Sequence, residues 1–353
     1  MLEVNPLTDQ FKTGLGWHQA RIHFLVLFLE ALIKVRTVNL TEIATAMDGR
    51  AKIASNYKRL QRFLHHYPLD FVCFTQWMMS WVKIEQPWLL CLDRTNWEFG
   101  KTPINFLVLA VAYKGAAIPL FWTLLSKKGN SSTRVRKALI NRFRRAFPGV
   151  QVACLTADRE FRGERWIRFL KEVKIPFRIR IPNNTLATNK RGNALLHVRR
   201  LFMIQPGEVM VLNKPRQVWG ITVHLAATRT LAGEHVIIIT DRDPSTALSD
   251  YCKRWEIETL FGCLKSRGFN LEQTHLSKRK RISKLFALLA VAFAWAYQIG
   301  IWQSQKRPIK LKKHRRLAQS LFRCGLDCIR HILLNRTSSS SDYREVVNVL
   351  SCT

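Results

Sequence analysis

The sequence predicts an α/β fold in which a mixed sheet, flanked by helices, is interrupted by a β-rich insertion and preceded by a helical N-terminal region. Three observations support this prediction. Apolar runs of strand length begin at Trp88 and then alternate with amphipathic helical stretches. Polar turns and short β-type runs occupy residues 186–243. Residues 1–80 show the apolar periodicity of helices.

The composition indicates a folded protein with a polyanionic partner. Lys and Arg total 57 against 24 acidic residues, which gives a net charge of +33, and the excess is spread along the whole chain. Because each neutralised phosphate releases condensed counterions, a nucleic acid is the commonest partner of such a surface, and an ordinary metabolic enzyme does not need it. The 47% hydrophobic content and the 11 tryptophans argue against a disordered basic chain.

Residues 1–80 are predicted to form a helical DNA-binding region. Apolar periodicity runs from Ala20 to Val35, and Thr41 is a plausible N-cap for the next helix. Lysines and arginines punctuate the helical stretch that follows, at residues 56–65, and would give it a cationic face. The alternative is a plain helical cap on the core, and these residues favour neither interpretation.

Residues 85–185 are predicted to form the first part of the core. Three successive strands are expected from WLLCLDRT, NFLVLAVAY and AIPLFWTLL, and a fourth strand, VACLTAD, follows a basic amphipathic helix. Another helix and the strand PFRIRIP complete the series. Three meandering strands followed by helix, strand, helix and strand are the layout of an RNase H-like core. Residues 244–305 would be its second part, after the insertion at 186–243, and residues 306–353 a basic helical tail.

Two features bear on the compartment of the protein. The eight cysteines form no C-x-x-C pair, which indicates free thiols in a reducing compartment. The run from Leu285 to Trp302 is long and apolar enough to suggest a membrane span. A helix buried in a large core is equally apolar on all sides, and we favour that interpretation because the chain has no second candidate span.

Four polar residues in YCKRWEIETLFGCLK are predicted to share one helix face. At about 100° per residue, Tyr251, Arg254, Glu258 and Lys265 fall within an arc of about 60°. An acid held among a phenol and two cations suggests a site for a metal ion and a phosphate. A solvated charged stripe would not need the tyrosine.

Two further acids complete a candidate catalytic set. Asp93 and Asp158 each close a predicted apolar strand, at the edge where open α/β sheets place their sites. Three carboxylates without His or Cys partners favour Mg²⁺ or Mn²⁺ over zinc. Two such ions could activate an attacking oxygen and stabilise a leaving one in a phosphoryl displacement. Asp93, Asp158 and Glu258 are therefore the predicted catalytic and metal-binding residues.

The runs CLDRTNWEFGK and LTADREFRGERW, with the pattern Y-x2-R-x3-E-x6-K, resemble the motifs of bacterial DDE-type insertion-sequence transposases. The similarity is greatest to the insertion-sequence-four family, which includes the transposases of transposons five and ten. It implies that Asp93, Asp158 and Glu258 bind two Mg²⁺ ions. It also implies that Tyr251, Arg254 and Lys265 hold the DNA backbone near the transferred end.

The resemblance further implies a cut-and-paste reaction with hairpin ends. The partners would be the terminal inverted repeats of the element and the target DNA, bound by a homodimer assembled on DNA in the bacterial cytoplasm, at the nucleoid. A resident membrane protein is not expected.

Several other residues are given supporting roles. DNA-backbone contacts are expected from four cations near the acids: Arg94, Lys101, Arg159 and Arg162. In related enzymes an insertion-domain tryptophan supports a flipped base. Trp219 is the tryptophan of this insertion, but its strand-like surroundings favour core packing.

Two alternative functions remain open from the residues alone. One is an RNase H-like metal-dependent nuclease that cleaves without strand transfer, for which neither the insertion nor the basic head would be needed. The other is a non-catalytic DNA-binding protein derived from a transposase, against which the three intact acids argue.

Overall fold

The computed structural model describes residues 6–100, 102–126, 128–313, 316–335 and 340–350. Its helices are α1 Pro6–Leu15, α2 Gln19–Val35, α3 Leu40–Ala46, α4 Ile53–His66, α5 Phe71–Val82, α6 Thr133–Ala146, α7 Glu164–Glu172, α8 Ala247–Cys252, α9 Trp255–Leu264, α10 Arg279–Lys306, α11 Leu321–Leu334 and α12 Ser340–Asn348. Its strands are β1 Trp88–Phe99, β2 Thr102–Tyr113, β3 Ala116–Leu124, β4 Val152–Ala157, β5 Phe177–Ile181, β6 Leu186–Thr188, β7 Leu195–His197, β8 Val209–Val211, β9 Arg216–Val218, β10 Ile221–Arg229 and β11 His235–Thr240.

Backbone contacts divide the chain into two compact units. The helical unit comprises Met1–Lys83, Trp97–Ile104 and Phe261–Thr353. The sheet unit comprises Ile84–Asn96 and Asn105–Leu260.

The long helix α10 forms the centre of the helical unit. It packs against α2, α4, α5 and α11. Of its most apolar stretch of 18 residues, 89% is buried inside the protein. A Cβ atom on Gly300 of α10 would overlap the Leu321 carbonyl, and one on Gly325 of α11 would overlap the Ala296 carbonyl. These glycines therefore let the two helix backbones touch. The burial of α10 favours the core-helix interpretation over the membrane span.

Local capping explains where the N-terminal helices begin. The Asn39 side chain accepts a hydrogen bond from the Thr41 amide at 3.0 Å, so Asn39 is the N-cap of α3, and the expectation of Thr41 in that position was wrong. Asp70 caps α5 in the same way, through the amides of Val72 and Cys73. The predicted helical N-terminal region is thus observed as α1 to α5.

The sheet unit is built on one eleven-stranded mixed sheet in the order β3-β2-β1-β4-β5-β11-β10-β9-β6-β7, with β8 paired to β10. Strands β1 and β4 are parallel, as are β4 and β5, whereas β2 and β3 form an antiparallel pair. Helices α6 and α7 provide the two connections between the parallel strands. The predicted mixed sheet flanked by helices, with its order of elements, is confirmed.

The predicted insertion, residues 186–243, supplies strands β6 to β11. Its last strand pairs antiparallel with β5, with Ile239 opposite Ile179. The insertion therefore extends the sheet of the core at the β5 edge through continuous backbone hydrogen bonds.

Two local expectations need correction. Strand β1 continues through Asp93 to Phe99, so this acid lies within the strand instead of closing it. The predicted continuous helix from Tyr251 to Lys265 is broken into α8 and α9, because the amides of Lys253 and Arg254 bond three residues back. The break lets Arg254 turn towards Asp93, and Lys265 follows the end of α9.

Candidate active site

The two aspartates lie side by side because of the strand register. In the parallel pair β1 and β4, Leu92 is the Cα partner of Ala157. Asp93 follows Leu92 and Asp158 follows Ala157, and neighbouring strands lie about 4.8 Å apart. The sheet thus brings together two acids that are far apart in the sequence.

Arg254 links the third predicted acid to this pair. Its Nη1 lies 3.0 Å from Asp93 Oδ2 and 2.8 Å from Glu258 Oε1. The Arg254 side chain is 6% exposed, and its guanidinium carbon lies 4.6 Å from the centre of the Trp255 ring. Burial alone would lower the pKa of Arg254, but Tyr251 and the two carboxylates outweigh it and raise that pKa. The guanidinium therefore stays charged between the two acids.

Tyr251 binds the other aspartate. Its hydroxyl donates to Asp158 Oδ1 at 3.2 Å. The ring is buried against Ala226, Ile238 and Ala247, and this burial raises the pKa of Tyr251 to about 12, so the phenol remains a donor at neutral pH. Helix α8 is held in place by the neighbouring residue, Asp250, which accepts from Arg178 Nε of β5 at 3.1 Å.

Asp93 is the acid most affected by its surroundings. Burial raises its pKa from 3.8 to about 6, although the Arg94 amide and the Arg254 guanidinium act in the opposite direction. A buried carboxylate with this pKa costs free energy when it ionises. A cation bound beside it would offset that cost.

Arg94, predicted to contact DNA, forms a network within the sheet unit. Its Nε and Nη2 donate to Glu160 Oε1 and Oε2 at 2.7 and 2.6 Å. Nη1 also donates to Gly129 O at 2.8 Å and to Asn105 Oδ1 at 3.2 Å. Since Arg94 follows Asp93 and Glu160 lies two residues after Asp158, this bidentate pair ties together the two segments that carry the aspartates.

The other predicted DNA contacts have separate surroundings. Arg159 lies 3.8 Å from Glu234, and both side chains are more than half exposed. Lys265 belongs to the helical unit, where its Nζ lies 2.8 Å from Glu272 Oε1 and 5.5 Å from the centre of the Trp97 ring. Lys101 lies outside the described residues. The structure therefore gathers five predicted residues at one place in the sheet unit: Asp93, Asp158, Tyr251, Arg254 and Glu258.

Trp219 does not pack in a strand, contrary to our expectation. It occupies the turn between β9 and β10 with φ at 52°, and its side chain is half-buried. Together with Arg162 it lines a cavity of 710 Å³, along with Asn184 and Gln217. Trp219 is therefore a turn residue that lines a cavity.

Two acids of this region were missed by the sequence analysis. Glu160 binds Arg94, and the D-R-E succession at Asp158 was its one available signal. Glu256 is 7% exposed and accepts from the amides of Tyr113 and Gly115, in the turn between β2 and β3. Burial raises the pKa of Glu256, and its position two residues before Glu258 fixes the start of α9 against that turn.

The donor chemistry of the three acids fits a hard divalent cation, because it consists of carboxylate oxygens. The raised pKa of Asp93 points the same way, since its ionised form needs a compensating charge. Within the described ranges, no group of three His, Cys, Asp or Glu side chains is close enough to hold an ion. The Arg254 guanidinium instead bridges Asp93 and Glu258.

Comparisons with known proteins identify the family of the chain. No curated protein matches the chain. Among solved structures, the cryo-EM structure of the piggyBac transposase synaptic complex with hairpin DNA is similar, with 12% identity and a TM-score of 0.46, over 95% of this chain and 77% of that one. The family model of the transposase DDE domain matches residues 84–295, which is more than half of the chain and includes both aspartates and Glu258. The chain therefore belongs to the transposase DDE domain family.

Proposed function

We propose that this chain is a bacterial insertion-sequence transposase of the insertion-sequence-four type, which cuts the ends of its element and joins the 3′-OH to target DNA. One observation carries the proposal. The register of β1 and β4 sets Asp93 beside Asp158, and Arg254 connects Glu258 to the same place. Carboxylates gathered in this way suit metal-assisted attack on a phosphodiester.

Asp93, Asp158 and Glu258 would hold two Mg²⁺ ions, or Mn²⁺ in their place. When bound, ions of this kind activate the attacking oxygen and stabilise the leaving oxygen of an in-line displacement. The ligands must be ionised, so the raised pKa of Asp93 makes binding of the ions weaker below about pH 6. Arg254 would leave the position between Asp93 and Glu258 as the ions bind.

The protein's own residues would orient the DNA strand. Once Arg254 has left the two carboxylates, its guanidinium would be free to bind a new anion. Its buried Nε has no hydrogen-bond partner in the described part of the chain. Buried donors are almost always satisfied, so a phosphate oxygen is a suitable acceptor for this guanidinium. Tyr251 would hold Asp158 in place through its hydroxyl, and Lys265 would contribute a second phosphate contact.

DNA is the proposed partner because the net charge is +33 and because the chemistry requires a phosphodiester. Arg94, Lys101, Arg159 and Arg162 are proposed as further backbone contacts, although Arg94 would first have to exchange Glu160 for phosphate. Joining two ends of an element needs two active sites, which favours a homodimer assembled on DNA. Hairpin formation at the ends, and a location at the bacterial nucleoid, follow from the resemblance to the family.

The test uses pre-cut DNA carrying the inverted repeats that flank the gene, incubated with the protein and Mg²⁺. We expect strand joining by the wild type and a loss of more than about a hundred-fold for Asp93→Asn or Glu258→Gln, since even outer-shell partners of a metal cost 10–100-fold. The exposed Arg165→Met, on α7, is the control. If both acid variants join DNA at the wild-type rate, the assignment is wrong.

The same assay, run beside one with uncut DNA that carries the same repeats, separates the alternatives. Cleavage without joining would identify a nuclease that lacks strand transfer. Binding to DNA without either reaction would identify a non-catalytic DNA-binding protein.

A further inference from the structure

A second charged region lies in the insertion, away from the acids. It is a groove of 860 Å³ in the sheet unit, which we call the insertion groove. The turn between β6 and β7 and the loop between β8 and β9 both contribute to its lining. Five cations line it: Lys190, Arg191, Arg200, Lys214 and Arg216.

The cations of the insertion groove have no anionic neighbours. No Asp or Glu is among its lining residues, and in the described residues none of the five forms an ion pair with a carboxylate. Four of the five are exposed, and Arg216 is half-buried with an Nε that lacks a hydrogen-bond partner among the residues described. Concentrating unpaired cations in a concave surface costs free energy through mutual repulsion, and an anionic partner removes that cost.

The apolar part of the groove lining indicates which part of a nucleic acid would bind. Leu196, Met210 and Leu212 are half-buried there, and no aromatic side chain is among the lining residues described. Grooves that bind single strands present aromatic rings on which bases stack. A groove lined by cations from two loops, with no ring among the lining residues described, suits the sugar–phosphate backbone of a duplex.

The groove also offers little for reading a sequence. Two of its amide side chains are occupied with each other, because Asn189 Nδ2 donates to Asn193 Oδ1 at 2.8 Å. Contacts from Lys and Arg to phosphates fix position but carry no sequence information. Such a surface suits a nucleic acid that the protein must bind whatever the base sequence.

We propose that the insertion groove binds the phosphate backbone of duplex DNA without regard to sequence, and that in the reaction this duplex is the target. The choice of the target as the bound duplex rests on the proposed transposase function, whereas the backbone binding does not. The sheet order places β9 five strands and β7 seven strands from β1, so at about 4.8 Å per strand the groove lies about 24–34 Å along the sheet from the acids. A bound duplex is long enough to span that distance.

The experiment measures the affinity of the full chain for a 30-base-pair duplex of arbitrary sequence, by fluorescence anisotropy in EDTA. EDTA prevents the chemistry, so the outcome does not depend on catalysis. The groove variant combines Lys190→Gln, Arg191→Gln and Lys214→Gln. The control combines Arg134→Gln, Arg144→Gln and Arg145→Gln on α6, which are also exposed and change the net charge equally.

For the groove variant we expect weaker binding and a log–log salt slope that is shallower by about 2.7, because each lost phosphate contact contributes about 0.9. The control variant should keep the wild-type slope, and unfolding midpoints should agree for all three proteins. The inference is overturned if both variants lose the same affinity, which would reflect net charge alone. It is also overturned if the groove variant loses affinity only for single strands, for RNA, for anionic lipid vesicles or for duplexes that carry the terminal repeat.

Discussion

At the acid pair, the cations near the carboxylates are bound to acids: Arg94 to Glu160, and Arg254 to both Asp93 and Glu258. In the insertion groove, five cations share a concave surface, and no acid is among the lining residues that the structure describes. The first arrangement holds side chains in fixed positions, as chemistry requires. The second leaves cations available for a polyanion. Charge in this protein thus has two uses, and each can be tested by changing one partner.

The largest effect is expected from Arg254→Met. Removing this guanidinium leaves the buried Asp93 without its cation, and breaking a buried pair in this way costs about 3–5 kcal/mol. Arg254→Lys keeps the charge and should recover part of that loss. Denaturant unfolding in EDTA measures the free energy of unfolding of both variants, with the exposed Arg165→Met as the reference. Equal stability of Arg254→Met and the reference would mean that the pairing does not hold the site together.

Asp93→Asn should stabilise the fold at neutral pH while it abolishes activity, because Arg254 keeps Glu258 as its ionic partner in this variant. The pKa of Asp93 is raised to about 6, so the folded protein retains the proton longer than the unfolded chain, and stability falls as the pH rises from about 4 to 6. Above pH 6 the cost is complete, and the shift corresponds to about 3 kcal/mol. The free energy of unfolding, measured in EDTA, should be higher for the Asn variant than for the wild type at pH 8 and similar for the two proteins at pH 4. Identical differences at both pH values would contradict the raised pKa.

The tie between Arg94 and Glu160 should show as coupling. A double-mutant cycle with Arg94→Met and Glu160→Gln is expected to give an interaction energy of about 1–3 kcal/mol, because the pair is bidentate and mostly buried. The apparent affinity for Mg²⁺ in the joining assay should fall about tenfold for each single variant, since the pair positions the aspartates. If the two substitutions have additive effects on stability and the Mg²⁺ dependence is unchanged, the pair does not position the aspartates.

The smallest effect is expected from Arg159→Gln. This cation and its partner Glu234 are 59% and 51% exposed, so the pair contributes less than about 1 kcal/mol to stability. Its loss should nevertheless make the salt slope of DNA binding shallower by about 0.9 if Arg159 contacts a phosphate. If stability changes and the salt slope does not, Arg159 serves its ion pair with Glu234 and does not contact DNA.

Strand alternation and motif spacing predicted the mixed sheet and brought Asp93, Asp158 and Glu258 into one set. Periodicity could not predict the break between α8 and α9, because the break depends on partners that Arg254 finds in strand β1 and Glu256 finds in the turn between β2 and β3. It also placed Trp219 in a strand, since a single positive φ in a turn leaves no apolar pattern.

The pairing of side chains was harder to foresee than their location. Arg94 was assigned to DNA because it adjoins an active acid, and its hydrogen bonds to Glu160, Asn105 and Gly129 involve three separate segments. No spacing rule connects such segments before the sheet forms. Glu160 was missed for the same reason.

The glycines that let α10 and α11 touch have a consequence for shortened forms of the chain. Helix α10 contains a window with a mean hydropathy of 1.8, and its flank is basic. A truncated product that stopped before α11 would leave one side of that helix without its cover. Such a fragment would expose apolar surface to water, and we expect it to aggregate.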